Sequence, residues 1–258
     1  MKEPNPVNYL VRACEAHEEL AACVRLQKKI WKYSDLEVYP LRLFVTLAKI
    51  GGQVLGGFTP EGEMVGFVAS LPAWRGRRRY LHSLSLGVLP THENRGLGKA
   101  LKLEQRRRAL RAGIELVEWT FDPLRAKNAY FNIVRLGAVC RRYIPNHYGE
   151  VDSQFQRGLP SDRLVAEWWL KSPRVRRVLT GKPPRAAQSK PAATVEIPAR
   201  IDELKTSGGA AARALQRGVR EKFQQLFSRG FVVTGFEVEG ETARYLLDDR
   251  NGAAPDED

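Results

Sequence analysis

Leu86-Gly87-Val88-Leu89-Pro90-Thr91-His92-Glu93-Asn94-Arg95-Gly96-Leu97-Gly98-Lys99-Ala100-Leu101 is the stretch whose reading decides the fold. It passes from a strand, through a turn, into a helix. Glycines at Gly96 and Gly98 let the backbone turn tightly with no side chain in the way. The unpaired N–H groups of the first helical turn then point at a diphosphate, aided by the helix dipole. Arg95 and Lys99 add positive charge beside them. The plain alternative is a capped helix following a turn. Other phosphate loops fit worse. A P-loop needs glycine where Glu93 stands and serine or threonine where Ala100 stands, and a dinucleotide fingerprint lacks its third glycine.

Upstream, Asn8 to Ala13 reads as a short strand. An amphipathic helix follows, with Leu20, Cys23, Val24, Ile30 and Trp31 on one side. Pro40 to Ile50 reads as a second helix, opened by proline and closed by Gly51-Gly52. Gln53 to Thr59 and Met64 to Leu71 flank the turn Pro60-Glu61-Gly62 as a hairpin. A basic loop, Arg75 to Arg79, leads into the strand Tyr80 to Val88. The helix from Gly98 to Ala112 is expected to have an apolar side of Ala100, Leu103 and Leu110 and a basic side of Lys99, Lys102 and Arg106.

Downstream come a strand at Glu115 to Phe121, a helix at Arg125 to Leu136, and strands at Ala138 to Ile144 and Leu164 to Leu170. The order predicts an α/β (mixed α+β) fold, a central mixed sheet flanked by helices. Gly181 to Ala192, rich in proline and lysine, reads as a linker. Beyond it, a strand at Thr194 to Ile197, a helix at Gly208 to Arg229 and a strand pair at Phe231–Val238 and Thr242–Leu247 make a smaller β-α-β-β extension. The acidic end, Asp248 to Asp258, is expected to fray. The expected organisation is therefore a main domain over 1–172, a helix and linker over 173–192, and an extension over 193–258.

The chain has 258 residues, 43% hydrophobic and 28% charged, so a packed core is expected rather than disorder. A formal charge of +13 favours anionic partners: nucleic acid, an acidic membrane surface or a polyanionic small molecule. The three cysteines, Cys14, Cys23 and Cys140, have no metal-ligand spacing and cannot all pair, so neither a zinc site nor a disulfide framework is expected. The opening residues lack the apolar stretch of a signal peptide, and no segment has the length of a membrane span. A cytoplasmic location with no membrane partner is the expectation.

The quoted segment resembles motif A of the GNAT (Gcn5-related N-acetyltransferase) superfamily, with Val88, Pro90, Gly96, Gly98 and Leu101 in register. Glu93 stands where that motif has Gln or Arg. The resemblance implies an acyl-CoA cosubstrate, acetyl-CoA or another. Its diphosphate would lie on the backbone of Arg95, Gly96, Leu97, Gly98 and Lys99, and its pantetheine arm along the strand of Leu86 and Val88. A second segment, Asp122-Pro123-Leu124-Arg125-Ala126-Lys127-Asn128-Ala129-Tyr130-Phe131-Asn132-Ile133-Val134-Arg135-Leu136-Gly137-Ala138, resembles motif B. The family's thiolate-protonating tyrosine falls at Ile133. Tyr130, one turn earlier, is the expected substitute or else a packing residue. Asn128 and Asn132 either line the coenzyme cleft or belong to a solvated face. The resemblance covers about residues 8–170. Within the superfamily it is nearest to a subgroup with an extra C-terminal region, some of whose members are thought to acylate amino acids, with succinyl-CoA as a donor.

Acyl transfer from a thioester needs a neutral amine, a proton route and donors for the developing oxyanion. His82, six residues before Val88, stands where related acetyltransferases carry a glutamate base. Imidazole titrates near neutrality and can serve directly or through water; a hydrogen-bonded strand histidine is the alternative. Adjacent strand residues point to opposite faces, so His82 and Ser83 are not expected to share a proton. The expected reaction is direct attack by a small-molecule primary amine, an amino acid among the options, without an acyl-enzyme or a metal. Two alternatives stay open: an acyl-CoA-sensing protein without catalysis, and a basic nucleic-acid-binding protein. Nucleic acid is disfavoured because no motif for it is found and the aromatics are not interleaved with the arginines. The oligomeric state is open, a homodimer included.

Overall fold

The structure, a computed structural model, describes residues 8–149, 158–182, 191–201 and 209–249. The chain divides into two compact units, Met1–Val117 and Glu118–Asp258. Its elements make a mixed α/β fold, as the order of periodic segments predicts.

The first unit runs β1 (Leu10–Ala13), α1 (His17–Trp31), α2 (Leu41–Lys49), β2 (Gln53–Phe58), β3 (Met64–Arg75), β4 (Arg78–Val88) and α3 (Leu97–Arg111). Strands β1 to β4 pair antiparallel in chain order. Helices α1 and α2 cover one face, burying Leu20, Cys23, Phe44 and Leu47 against Val54, Phe67 and Ala69. Helix α3 covers the other, with Leu97 and Leu101 on Leu55, Val65 and Val68. The approach of α1 explains Gly87: a Cβ there would stand 2.8 Å from Ile30 and 3.0 Å from Trp31.

Two expectations for this unit need correction. The basic stretch Arg75 to Arg79 is not a loop. The hairpin continues through it, Arg75 pairing with Arg78 around a two-residue turn. The stretch is also aromatic: the Arg79 guanidinium lies 6.0 Å from the Trp74 ring and that of Arg75 lies 5.5 Å from Tyr80. Cross-strand pairing, invisible to a linear count, interleaves rings and arginines. Second, the sides of α3 are differently assigned. Lys102 is buried and Leu103 is exposed. Leu97, Leu101, Gln105 and Ala109, four residues apart, form the inward row, and Lys102 flanks it.

The second unit comprises β5 (Leu116–Phe121, begun just before the boundary), α4 (Ala126–Ala129), β6 (Val139–Ile144), β7 (Arg163–Trp169), α5 (Pro173–Leu179), β8 (Ala193–Pro198), α6 (Gly209–Ser228), β9 (Phe231–Glu239) and β10 (Thr242–Asp249). Its strand order is β5-β7-β6-β9-β10-β8. Most of the expected linker, and the end beyond Asp249, lie outside the described residues. Aromatic side chains tie this core together. Trp168 is buried, donates to the Leu136 carbonyl at 2.8 Å and meets Trp119 edge-on. Phe223 of α6 stacks on Tyr143 of β6 and meets Tyr245 of β10 edge-on. The buried Tyr245 hydroxyl donates to the Pro123 carbonyl at 2.6 Å. The polar atoms of the buried Trp168 and Tyr245 rings thus both find partners.

Candidate active site

After β4 the chain makes a 3-10 turn, Pro90–His92. The Leu89 amide donates to the Val65 carbonyl, and those of His92 and Glu93 donate to Leu89 and Pro90. Asn94 and Gly96 then adopt left-handed backbone, with φ of 59° and 88°. At Gly96 the space is open, so the backbone angle, not crowding, favours glycine. The first bond of α3 runs from the Ala100 amide to the Gly96 carbonyl. The amides of Leu97, Gly98 and Lys99 therefore precede the helical ladder and face the loop. His92 anchors the loop from outside: its Nδ1 lies 2.9 Å from the Tyr9 hydroxyl. Leu97 is buried and Lys99 half-buried, while Arg95 and Glu93 are exposed. A site with three leading amides, two nearby cations and no side chain at Gly96, where the helix begins, fits a diphosphate.

Strand β4 carries a bulge. Ala69 pairs with Ser85 and Ser70 with Ser83, leaving Leu84 as the extra residue. The slip sorts the side chains. Leu86 and Val88 pack toward α3. Ser83 also faces α3: Lys102 Nζ donates to its Oγ at 3.0 Å and Gln105 Nε2 does so at 3.2 Å. Leu84 packs with α1 and α2. His82 pairs with Leu71, and Ser85 with Ala69, both of which belong to that second cluster. Thus His82, Leu84 and Ser85 share one face, and Ser83 points to the other. The expected separation of His82 from Ser83 follows from this alternation.

Lys102 is the group that sequence reasoning placed wrongly. Burial holds its ammonium down to about 7. It donates to Ser83 and to Gln105 Oε1, each at 3.0 Å, and so ties the helix that opens with the glycine loop to the bulged strand. The four-residue spacing of Leu97, Leu101 and Gln105 was the available signal, because it turns position 102 inward.

Asn128, Tyr130 and Asn132 belong to the second unit. Helix α4 widens at Tyr130–Arg135 into a π turn, in which the Leu136 amide donates to the Phe131 carbonyl. The wider turn separates residues that an α-helix would align. Tyr130 is 42% exposed, whereas Ile133 is fully buried. The two therefore differ in facing, although they lie only three residues apart. Asn128 and Asn132 also part: the first is exposed and the second buried. Tyr130 thus presents a phenol to solvent, and Ile133 is a core residue.

Among the described residues, no group of three or more His, Cys, Asp or Glu side chains could hold a metal ion, and no helix is long and apolar enough to cross a membrane. The three cysteines are buried free thiols.

No curated protein matches the chain. Among solved structures it is similar to the ribosomal-protein-S18-alanine N-acetyltransferase of Escherichia coli, at 14% identity and a TM-score of 0.51, over 64% of this chain and 95% of that one. It is also similar to NAA60 of Arabidopsis thaliana in complex with acetyl-CoA, at 16% identity and a TM-score of 0.50, over 63% and 99%. At such identities the likeness is one of fold. The family model for the acetyltransferase (GNAT) family matches residues 3–131, half of the chain and all of the segment from β1 through the glycine loop. By that match, the chain belongs to the acetyltransferase (GNAT) family.

Proposed function

We propose that the protein is an acyl-CoA-dependent N-acyltransferase that moves an acetyl or succinyl group to a primary amine, an amino acid among the options. The observation that carries this reading is the start of α3, where left-handed Gly96 leads into three amides ahead of the helical ladder. Family membership supports it, as does the acetyl-CoA bound to the Arabidopsis relative in fold. Arg95, Gly96, Leu97, Gly98 and Lys99 hold the diphosphate, Leu86 and Val88 line the path of the pantetheine arm, and Asn128 and Asn132 are further coenzyme contacts. Residues 1–172 carry the transfer, 173–192 connect, and 193–258 form the extension.

In the proposed reaction the amine nitrogen attacks the thioester carbonyl carbon. His82 takes the ammonium proton, directly or through water, the C–S bond breaks, and the thiolate is protonated by Tyr130. No acyl-enzyme and no metal ion takes part. A thiol-release screen with acetyl- and succinyl-CoA against amino acids and amines tests this; silence with every pair refutes it. His82→Ala should lower kcat by about 10²- to 10⁴-fold while acyl-CoA affinity stays. Near-normal kcat in folded mutant protein would sink the role of His82. A non-catalytic acyl-CoA sensor is the second reading, favoured by the buried Ile133 at the family's tyrosine position. It predicts acyl-CoA binding without turnover.

A further inference from the structure

Two buried hydroxyls beside the β4 bulge have no hydrogen-bond partner among the described residues, Ser70 Oγ and Ser85 Oγ. A buried hydroxyl without a partner costs stability, so each requires an explanation. The bulge makes them unlike. Ser70 pairs with Ser83 and so lies on the α3 face. Ser85 pairs with Ala69 and lies on the opposite face, the one that His82 shares. In a regular strand, residues 82 and 85 would point to opposite faces, since side chains alternate. The extra residue Leu84 puts them on one face, three residues apart, within roughly 10 Å along the strand.

Resting on the acyltransfer reading above, we propose that Ser85 is a catalytic residue whose hydroxyl donates a hydrogen bond to the carbonyl oxygen of the acyl group. The hydroxyl sits on the strand of the proposed base, shielded from water, with its donor uncommitted. When the amine nitrogen bonds to the acyl carbon, the carbonyl electron pair moves onto oxygen, and the Ser85 O–H stabilises that charge. As the C–S bond breaks, the pair returns, and the coenzyme leaves as thiolate. Ser85 keeps its proton throughout and forms no covalent bond. A donor fixed in a water-poor place needs no reorganisation as charge develops, which is the source of its effect.

The proposal makes stability and activity move apart. Ser85→Ala removes an unsatisfied buried hydroxyl, so its melting temperature should equal or exceed that of the wild type. Its kcat should nevertheless fall about 10²- to 10³-fold, with acyl-CoA affinity, read from the ligand-induced melting shift, unchanged. Ser85→Thr, which keeps the hydroxyl, should recover part of the loss. Ser70→Ala, which removes the other orphan on the far face, should match the wild type in kcat. Unchanged kcat in Ser85→Ala overturns the proposal, as does an equal loss in Ser70→Ala. So does an acyl adduct found on Ser85 by mass spectrometry after mixing with acyl-CoA. A wild type that binds acyl-CoA yet turns over no amine refutes the acyltransfer reading itself, and is told apart by that result.

Discussion

The glycine loop of the first unit and the foot of β7 in the second hold their shapes by different means. The loop from Leu89 to Lys99 is fixed by backbone: a 3-10 turn, two left-handed residues and amide-to-carbonyl bonds. A side-chain tie from Tyr9 to His92 adds to them. At the foot of β7 a single buried carboxylate does the organising. Asp162 accepts from the Tyr143 hydroxyl at 2.7 Å, from the Asn146 amide at 2.9 Å, and from two nitrogens of Arg220 on α6 at 2.8 and 2.9 Å. Gln216 and Arg213, also on α6, donate to the carbonyls of Pro160 and Gly158. A backbone-held loop leaves its amides available to a ligand. A side-chain hub spends its hydrogen bonds internally and suits anchorage.

The sharpest way to break this contrast is to remove the hub. Asp162→Ala strands the partly buried Arg220 and two further donors, the Tyr143 hydroxyl and the Asn146 amide. It should destabilise the protein by about 3–5 kcal/mol in denaturant unfolding. A loss below about 1 kcal/mol would show that the carboxylate is not the organiser.

Gly96→Val attacks the loop instead. Left-handed backbone at a β-branched residue costs about 1–2 kcal/mol, but the larger effect is on ligand. Acyl-CoA at a hundredfold excess over Kd adds about 2.7 kcal/mol to a binding-competent fold, and the variant should lose that melting shift. A variant with a full shift would remove the loop from the binding site.

Lys102 is the first unit's nearest counterpart to the Asp162 hub, and pH separates it from the rest. Burial lowers its pKa to about 7 from the 10.5 of a free lysine. Between those values the unfolded chain binds the extra proton, so rising pH favours the folded state. The stability of wild type relative to Lys102→Met should be level below about pH 7 and then climb, at most by about 1.4 kcal/mol per pH unit. A level difference from pH 6.5 to 9 would mean that the ammonium is solvated. The smallest effect is expected at the loop's outer tie: Tyr9→Phe should cost about 0.5–1.5 kcal/mol, with part of the acyl-CoA shift retained. Loss of the whole shift would make the tie as important as the glycine.

Much of the fold was legible in the chain because its signals are local. Pro40, Gly51 and Gly62 mark boundaries through their own backbone preferences, and α2 and β2 end within a residue of where the sequence reading puts them. The strand, turn and helix of 86–101 were legible for the same reason: Gly96 and the residues around it adopt their conformation without help from distant chain. The candidate site was legible only in this part. Ser85 gave no signal, since a serine in a strand reads as ordinary until its partner is known to be missing.

By itself, then, the sequence determined the order of elements, the phosphate-fitting helix start and the family. Tertiary structure alone decided which side chains face which way. The pairing of β3 with β4 slips by one residue at Leu84, and that slip puts His82 and Ser85 on one face. The π turn at Tyr130–Arg135 rotates Tyr130 outward while Ile133 is held in the core. Lys102 is buried because α3 lies flat on Ser83, and no local preference of lysine would put it there. Backbone conformation is set largely by each residue and its neighbours, but facing depends on a single-residue offset supplied by a strand or helix far away in the chain.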